Sequence, residues 1–119
     1  MKNIIAIALL SASLAGSSVS HSQTQSEMNQ AAFLDLKSTE DELTKVYQQV
    51  IQRYSKGSDA DLALVDKLRK AQRAWIKFRD AHIEAIFPTE GSRHFSARPM
   101  CAAILQAGLT DGRIKQLRE

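Results

Sequence analysis

Residues 68–81 read Leu68-Arg69-Lys70-Ala71-Gln72-Arg73-Ala74-Trp75-Ile76-Lys77-Phe78-Arg79-Asp80-Ala81. Extended on both sides, the stretch sets Leu64, Leu68, Ala71, Trp75, Phe78, His82 and Ala85 at alternating steps of four and three. That sustained period near 3.5 belongs to a helix in an antiparallel hairpin or bundle. The spacing predicts a helix over 59–86 with Trp75 and Phe78 turned inward. Gln72, Arg79 and Asp80 are then in reach of polar partners on a neighbouring helix, while Arg73 and Lys77 stay solvated. Pro88 closes the segment, because the residue before a proline disfavours helical angles.

Upstream, Met28, Ala32, Leu36, Leu43, Val46, Tyr47, Val50 and Tyr54 mark one helical face over 26–54. Thr39 followed by Glu42 has the form of a capping box and could restart the helix there. The stripe keeps its phase across that point, which favours one continuous helix. Lys56-Gly57-Ser58 is the break between the two long helices. Gly57 suits the left-handed position after a helix end, and Ser58 suits the next N-cap, with Asp59 and Asp61 at the positive end of the helix dipole. Downstream, 88–98 is a loop and Pro99 is well placed at the start of a third helix carrying Met100, Ala103, Ile104, Leu109 and Leu117. Gly108 and Gly112 predict a bend or break in it.

The chain has 119 residues, five Gly, two Pro and one Cys. This is one small domain, too short for a large α/β enzyme fold and too poor in turn residues for an all-β one. The expected fold is all-α: a long antiparallel helical hairpin with a shorter C-terminal helix packed against it. Its N-terminus reads as an address. Met1-Lys2-Asn3 is a short positive region, Ile4 to Leu14 is almost wholly apolar, and Gly16 to Ser22 is small and polar. That is the pattern of a secretory signal peptide over 1–22, and the apolar run falls short of the roughly 20 residues that span a bilayer. Removing 22 of the 119 residues leaves 97, with 15 basic and 13 acidic side chains. The expected location is periplasmic or secreted. So even a balance, with both signs mixed along the chain, argues against nucleic-acid binding, and no membrane attachment is expected once the leader is gone.

Chemistry is sparse. His82 lacks a histidine or carboxylate at the next turn, where Ala85 and Ile86 stand, so no metal site is expected. No phosphate loop, nucleophile turn or paired carboxylates across a cleft can be read. The protein is expected not to be an enzyme and to need no cofactor. Cys101 cannot form an intramolecular bridge; it is either buried or able to pair between chains.

The segment 68–81 also carries a resemblance. Met28-Asn29, Leu43 with Tyr47, the whole of 68–81, Gly91-Ser92, and Leu109-Thr110 with Arg113 and Leu117 follow the pattern of the lysozyme inhibitor LprI-like N-terminal domain family. The chain over 23–119 is identified as a member of that family. The resemblance implies a small helical protein of the bacterial envelope, with Gln72, Trp75, Phe78, Arg79 and Asp80 as structural motif residues. The family's cysteines fall at Ala31, Ile83 and near Leu105 here, so its disulfide framework is lost and packing must carry more of the stability.

The family name implies inhibition of lysozyme or a related peptidoglycan-degrading enzyme. A loop could block a glycan cleft, and Arg93, His94, Phe95 and Arg98 are the side chains placed to do so. Glu40, Asp41 and Glu42 could form an acidic face toward a basic enzyme. The alternative is a non-catalytic envelope interaction module or a homodimer, assembled through the apolar stripes of the first two helices.

Overall fold

The computed structural model describes residues 22–91 and 95–119. The signal-peptide reading of 1–22 lies almost wholly outside them. Three helices make up the fold: α1 (Gln25–Ser55), α2 (Asp59–Ile86) and α3 (Arg98–Arg118).

α1 opens on a capping box. Thr24 accepts from the backbone N–H of Glu27 at 3.2 Å, and Glu27 accepts from the Thr24 N–H at 2.8 Å. The second possible box, at Thr39 and Glu42, is not used. Thr39 Oγ1 instead donates to the Asp35 carbonyl at 3.0 Å, and the helix runs straight through. α2 opens on the predicted cap, Ser58 with Asp61, and spans the predicted residues.

Gly57 has a different role from the expected one. Its φ is not positive; Gly91, at φ 98°, is the glycine in the left-handed region among the described residues. A Cβ at Gly57 would collide with the Asp61 carboxylate, which caps the Ser58 N–H at 3.0 Å. Glycine is required there by the close approach of the cap. α3 starts one residue earlier than Pro99 and continues unbroken through Gly108 and Gly112. Both glycines face open space, so the helix needs nothing from their side chains.

The topology is up-down-up. Asn29 Nδ2 donates to the Ser96 carbonyl at 3.1 Å, Gln106 Nε2 donates to Glu40 Oε1, and Arg118 reaches Glu42. Partners therefore advance together along α1 and α3, which run parallel. α2 runs antiparallel to both, since Glu40 meets Arg79 while Gln72 meets Arg113.

The core sits mostly between α1 and α3. Ala32 and Leu36 pack on Ala103, flanked by Met100 and Ala107. Leu43 and Val46 pack on Ile114, flanked by Trp75 and Leu117. The small residues Ala32, Ala103 and Ala107 let the two backbones approach. The three-helix architecture is the one expected, with the α1–α3 pair as its most extensive interface.

α2 is rotated relative to the expected stripe. Its buried residues are Val65, Gln72 and Ile83, with Leu68, Trp75 and Arg79 half-buried. Phe78 is 56% exposed, not inward, and Leu64, Ala71 and Ala85 are exposed as well. Hydrophobicity alone ranks Gln72 and Arg79 as solvent-facing; their partners on α1 and α3 bring them in.

Thr110 is fully buried, and its hydroxyl has no hydrogen-bond partner among the described residues. An unsatisfied buried hydroxyl costs about 1–3 kcal/mol, and an apolar group of the same shape removes that cost. Thr110→Val is expected to leave Tm unchanged or raise it, by up to roughly 4–8 °C per kcal/mol in a domain this small. Thr110→Ser, which keeps the hydroxyl and deletes a buried methyl, is expected to cost about 1 kcal/mol. Thermal melts of the three proteins followed by circular dichroism test this; a valine variant less stable than wild type would contradict it.

Candidate binding surface

The motif residues of α2 form a polar brace. The Arg79 side chain is only 13% exposed. Its Nε donates to Asp80 Oδ1 at 2.8 Å, its Nη1 to Glu40 Oε1 at 3.4 Å, and its guanidinium lies 5.3 Å over the Trp75 ring. Glu40 also accepts from Gln106, so one carboxylate joins all three helices. Two turns of α2 further from the loop, Gln72 Oε1 accepts from Arg113 Nε at 2.9 Å. Burial lowers the Arg113 pKa, with Tyr47 opposing that shift. Trp75 packs at the edge of the α1–α3 core.

The acidic face expected at Glu40–Glu42 is largely consumed within the fold. Glu40 serves Arg79 and Gln106, Glu42 serves Arg118 and Lys45, and Asp41 pairs with Lys37 at 3.1 Å. The pairings of Glu40 with Gln106 and of Glu42 with Arg118 link residues far apart in sequence, and nothing in the local pattern signals them.

The α2–α3 connection is pinned at its base. The backbone N–H and the hydroxyl of Thr89 both donate to Glu84 Oε1, at 2.9 and 3.0 Å. Arg98 donates to the carbonyls of Phe87 and Pro88 at 2.6–3.1 Å and lies 3.7 Å from Glu84. With 16% of its side chain exposed, Arg98 is occupied in holding the loop rather than facing outward. Phe95 is 43% exposed beside it. Arg93 and His94 lie outside the described residues.

Two grooves flank α2. One, of about 420 Å³, lies against α1 and is walled by Glu40, Tyr47, Gln48, Gln72, Ile76 and Arg79. The other, of about 510 Å³, lies against α3 and is almost wholly apolar; His82, Ile86, Phe87, Cys101, Ile104 and Leu105 line it. His82 stacks on Phe78 with ring centroids 5.5 Å apart, so the exposed phenylalanine and the apolar groove are continuous. Cys101 is a half-buried free thiol in that groove. No group of three metal-capable side chains occurs among the described residues. No helix among them is long and apolar enough to cross a membrane.

The chain is a small all-α domain with a polar-braced middle helix and several large apolar side chains on its surface. Residues 17–117 match the model of the family described as lysozyme inhibitor LprI, and the chain belongs to that family. It is similar to an uncharacterized protein of Rhizobium meliloti (strain 1021), 33% identical over 105 residues, covering 81% of this chain and 73% of the relative. No solved structure matches the chain.

Two expectations follow from the brace and the loop base. Glu40→Ala removes the inter-helix carboxylate from a guanidinium that is mostly out of water and leaves it only Asp80 of its own helix. Because Glu40 itself is partly exposed, the expected cost is about 1–2 kcal/mol in urea unfolding. Faster amide hydrogen exchange should concentrate in α2.

The second expectation concerns pH. Hydrogen bonds from the Thr89 backbone and side chain, aided by the Arg98 charge, hold the Glu84 carboxyl below its ordinary value of 4.5. A depressed carboxylate contributes stability above its ordinary pKa and loses it as pH falls through the lower folded value. The Thr89 amide resonance should therefore titrate with a midpoint under 4.5, and Thr89→Val should raise that midpoint by removing the hydroxyl donor. A midpoint at or above the ordinary value would contradict the geometry.

Proposed function

We propose that this is an exported binding protein that inhibits lysozyme or a related peptidoglycan-degrading enzyme, without catalytic activity of its own. The family match across 17–117 carries this reading. The apolar leader over 1–22 supports delivery to the periplasm or the exterior.

The loop between α2 and α3 is the part proposed to enter the enzyme's cleft, with Arg93, His94 and Phe95 as contact residues. Its base is fixed by Glu84 and Arg98, so that part of the loop would lose little conformational freedom on binding. Arg98 then contributes by positioning the loop. After leader removal the chain carries 15 basic and 13 acidic side chains, and its acidic residues near Glu40 are largely paired internally. Long-range steering toward a basic lysozyme is absent, which leaves short-range contacts to supply the affinity.

A cell-wall lysis assay tests the proposal. The purified protein, titrated into several lysozyme types, is expected to inhibit at near one-to-one stoichiometry, with little difference between low and physiological salt. Phe95→Ala should weaken inhibition roughly tenfold or more, as loss of an aromatic anchor does. No inhibition at large molar excess by folded protein would overturn the reading for the enzymes tested, and would favour an envelope interaction module that does not target lysozyme.

A further inference from the structure

The fold buries one face of α2 and leaves another, equally apolar, uncovered. Leu64, Ala71, Phe78 and Ala85 recur every seven residues, with Ala74 and Ala81 between them, and all six are exposed. Leu64 is 38% and Phe78 56% exposed; Ile86 at 48% and Ile104 of α3 at 58% extend the patch across the apolar groove. Lys67 is the only charged residue that the heptad spacing sets on this seam. Exposed apolar side chains gathered on one helix face and continuous with an apolar groove point to an interaction surface.

We propose that this face of α2 docks antiparallel onto the same face of a second copy of the chain. The pattern is self-complementary in that orientation. Centring two antiparallel α2 helices near residue 76 sets each Phe78 against Ala74 of the second copy and Ala71 against Ala81, large on small and small on small. It also sets Lys67 against Ala85. On the flank, Lys70 faces Glu84 of the second copy, and the two-fold axis makes that pair twice. Lys77 meets its own copy near the axis, at an exposed flank where a like-charge approach is screened.

A parallel pairing instead sets Lys67 on Lys67 and Phe78 on Phe78, and offers no opposite charges. Lys70 presently pairs with Asp66 at 3.2 Å, both about two-thirds exposed, so it can change partner at little cost. Glu84 Oε1 also accepts from Thr89, with Arg98 3.7 Å from Oε2, so Lys70 would approach a carboxylate that already anchors the loop base. The inference itself does not rest on lysozyme inhibition.

Sedimentation equilibrium of the purified protein over a range of concentrations should return the mass of two chains. Ala74→Glu is solvent-exposed in the monomer, so its helical circular dichroism should be unchanged. It inserts two unpaired carboxylates into the seam and should weaken the dimer by roughly 100-fold or more. Orientation is read by oxidation in a Cys101→Ser background. A71C mixed with A81C should give a mixed disulfide dimer, while neither variant alone should cross-link appreciably. A folded protein that stays monomeric at the highest concentration overturns the proposal, as does a dimer indifferent to Ala74→Glu. Cross-linking of A71C with itself as readily as with A81C overturns the antiparallel arrangement.

Discussion

The Glu40 carboxylate is the point on which the three helices converge. Arg79 of α2 and Gln106 of α3 both donate to its Oε1. The reason it matters is the meagre apolar contribution of α2. Only Val65 and Ile83 of that helix are buried hydrophobics, whereas α1 and α3 together supply six. α1 and α3 would associate through their own apolar contacts; α2 is held largely by directed polar bonds, from Arg79 to Glu40 and from Arg113 to Gln72. A guanidinium at 13% exposure needs its acceptors, because a desolvated charge left unpaired costs more than its pairing gains, and Glu40 is the acceptor that ties it to α1. The brace therefore fixes the rotation of α2 more than it adds net stability.

That rotation explains several features together. Turning Gln72 and Arg79 toward α1 and α3 carries Phe78 and the alanine seam outward. It also places Ile83 in the interior, at the position where the family resemblance sets a cysteine, and Ile83 is buried. An apolar side chain fills that site with packing where a disulfide would cross-link. Ala31, at another such position, is exposed and Leu105 is half-buried, so the replacement is uneven along the chain. What a covalent tie would fix is here fixed by hydrogen bonds near the helix ends: Asn29 to Ser96 where α3 begins, and Arg98 to Phe87 and Pro88 where α2 stops.

Much of this was legible in the sequence. Helix number, the Ser58 cap and the bounds of α2 follow from periodicity and capping chemistry. The phase of α2 did not follow. Leu64, Leu68, Ala71, Trp75, Phe78 and Ala85 form a better hydrophobic stripe than Val65, Leu68, Gln72, Trp75, Arg79 and Ile83. Only partners at long separation, Glu40 and Arg113, make the second stripe the buried one. Periodicity measures which face is apolar, and on α2 two faces are. The unbroken α3 is a second case: the local propensity of Gly108 and Gly112 is overridden because the Ala103, Thr110 and Ile114 face is packed while both glycines look outward. The loop residues of the candidate site were legible only as composition. That Arg98 would turn inward depends on carbonyls exposed where α2 ends at Phe87, which sequence spacing does not reveal.

The division of labour within the bundle also bears on how it can bind. Apolar packing is concentrated between α1 and α3, and α2 carries exposed apolar side chains on one flank and a pinned loop at its end. Covering an exposed apolar flank contributes about 25 cal/mol per Å² removed from water, before the costs of association. For a helix retained mostly by polar bonds whose net worth is small, such coverage would add a substantial fraction of its holding energy. Any partner that binds the folded form but not the unfolded one raises the apparent stability by mass action. α2 is thus the element whose order responds most to an occupied surface. The loop that begins at its C-terminus inherits that response through Glu84, which is rooted in α2 and grips Thr89 and Arg98. Ordering at the flank and ordering at the loop base share one helix and one set of polar anchors, so a ligand on either surface acts on the same weakly buried element.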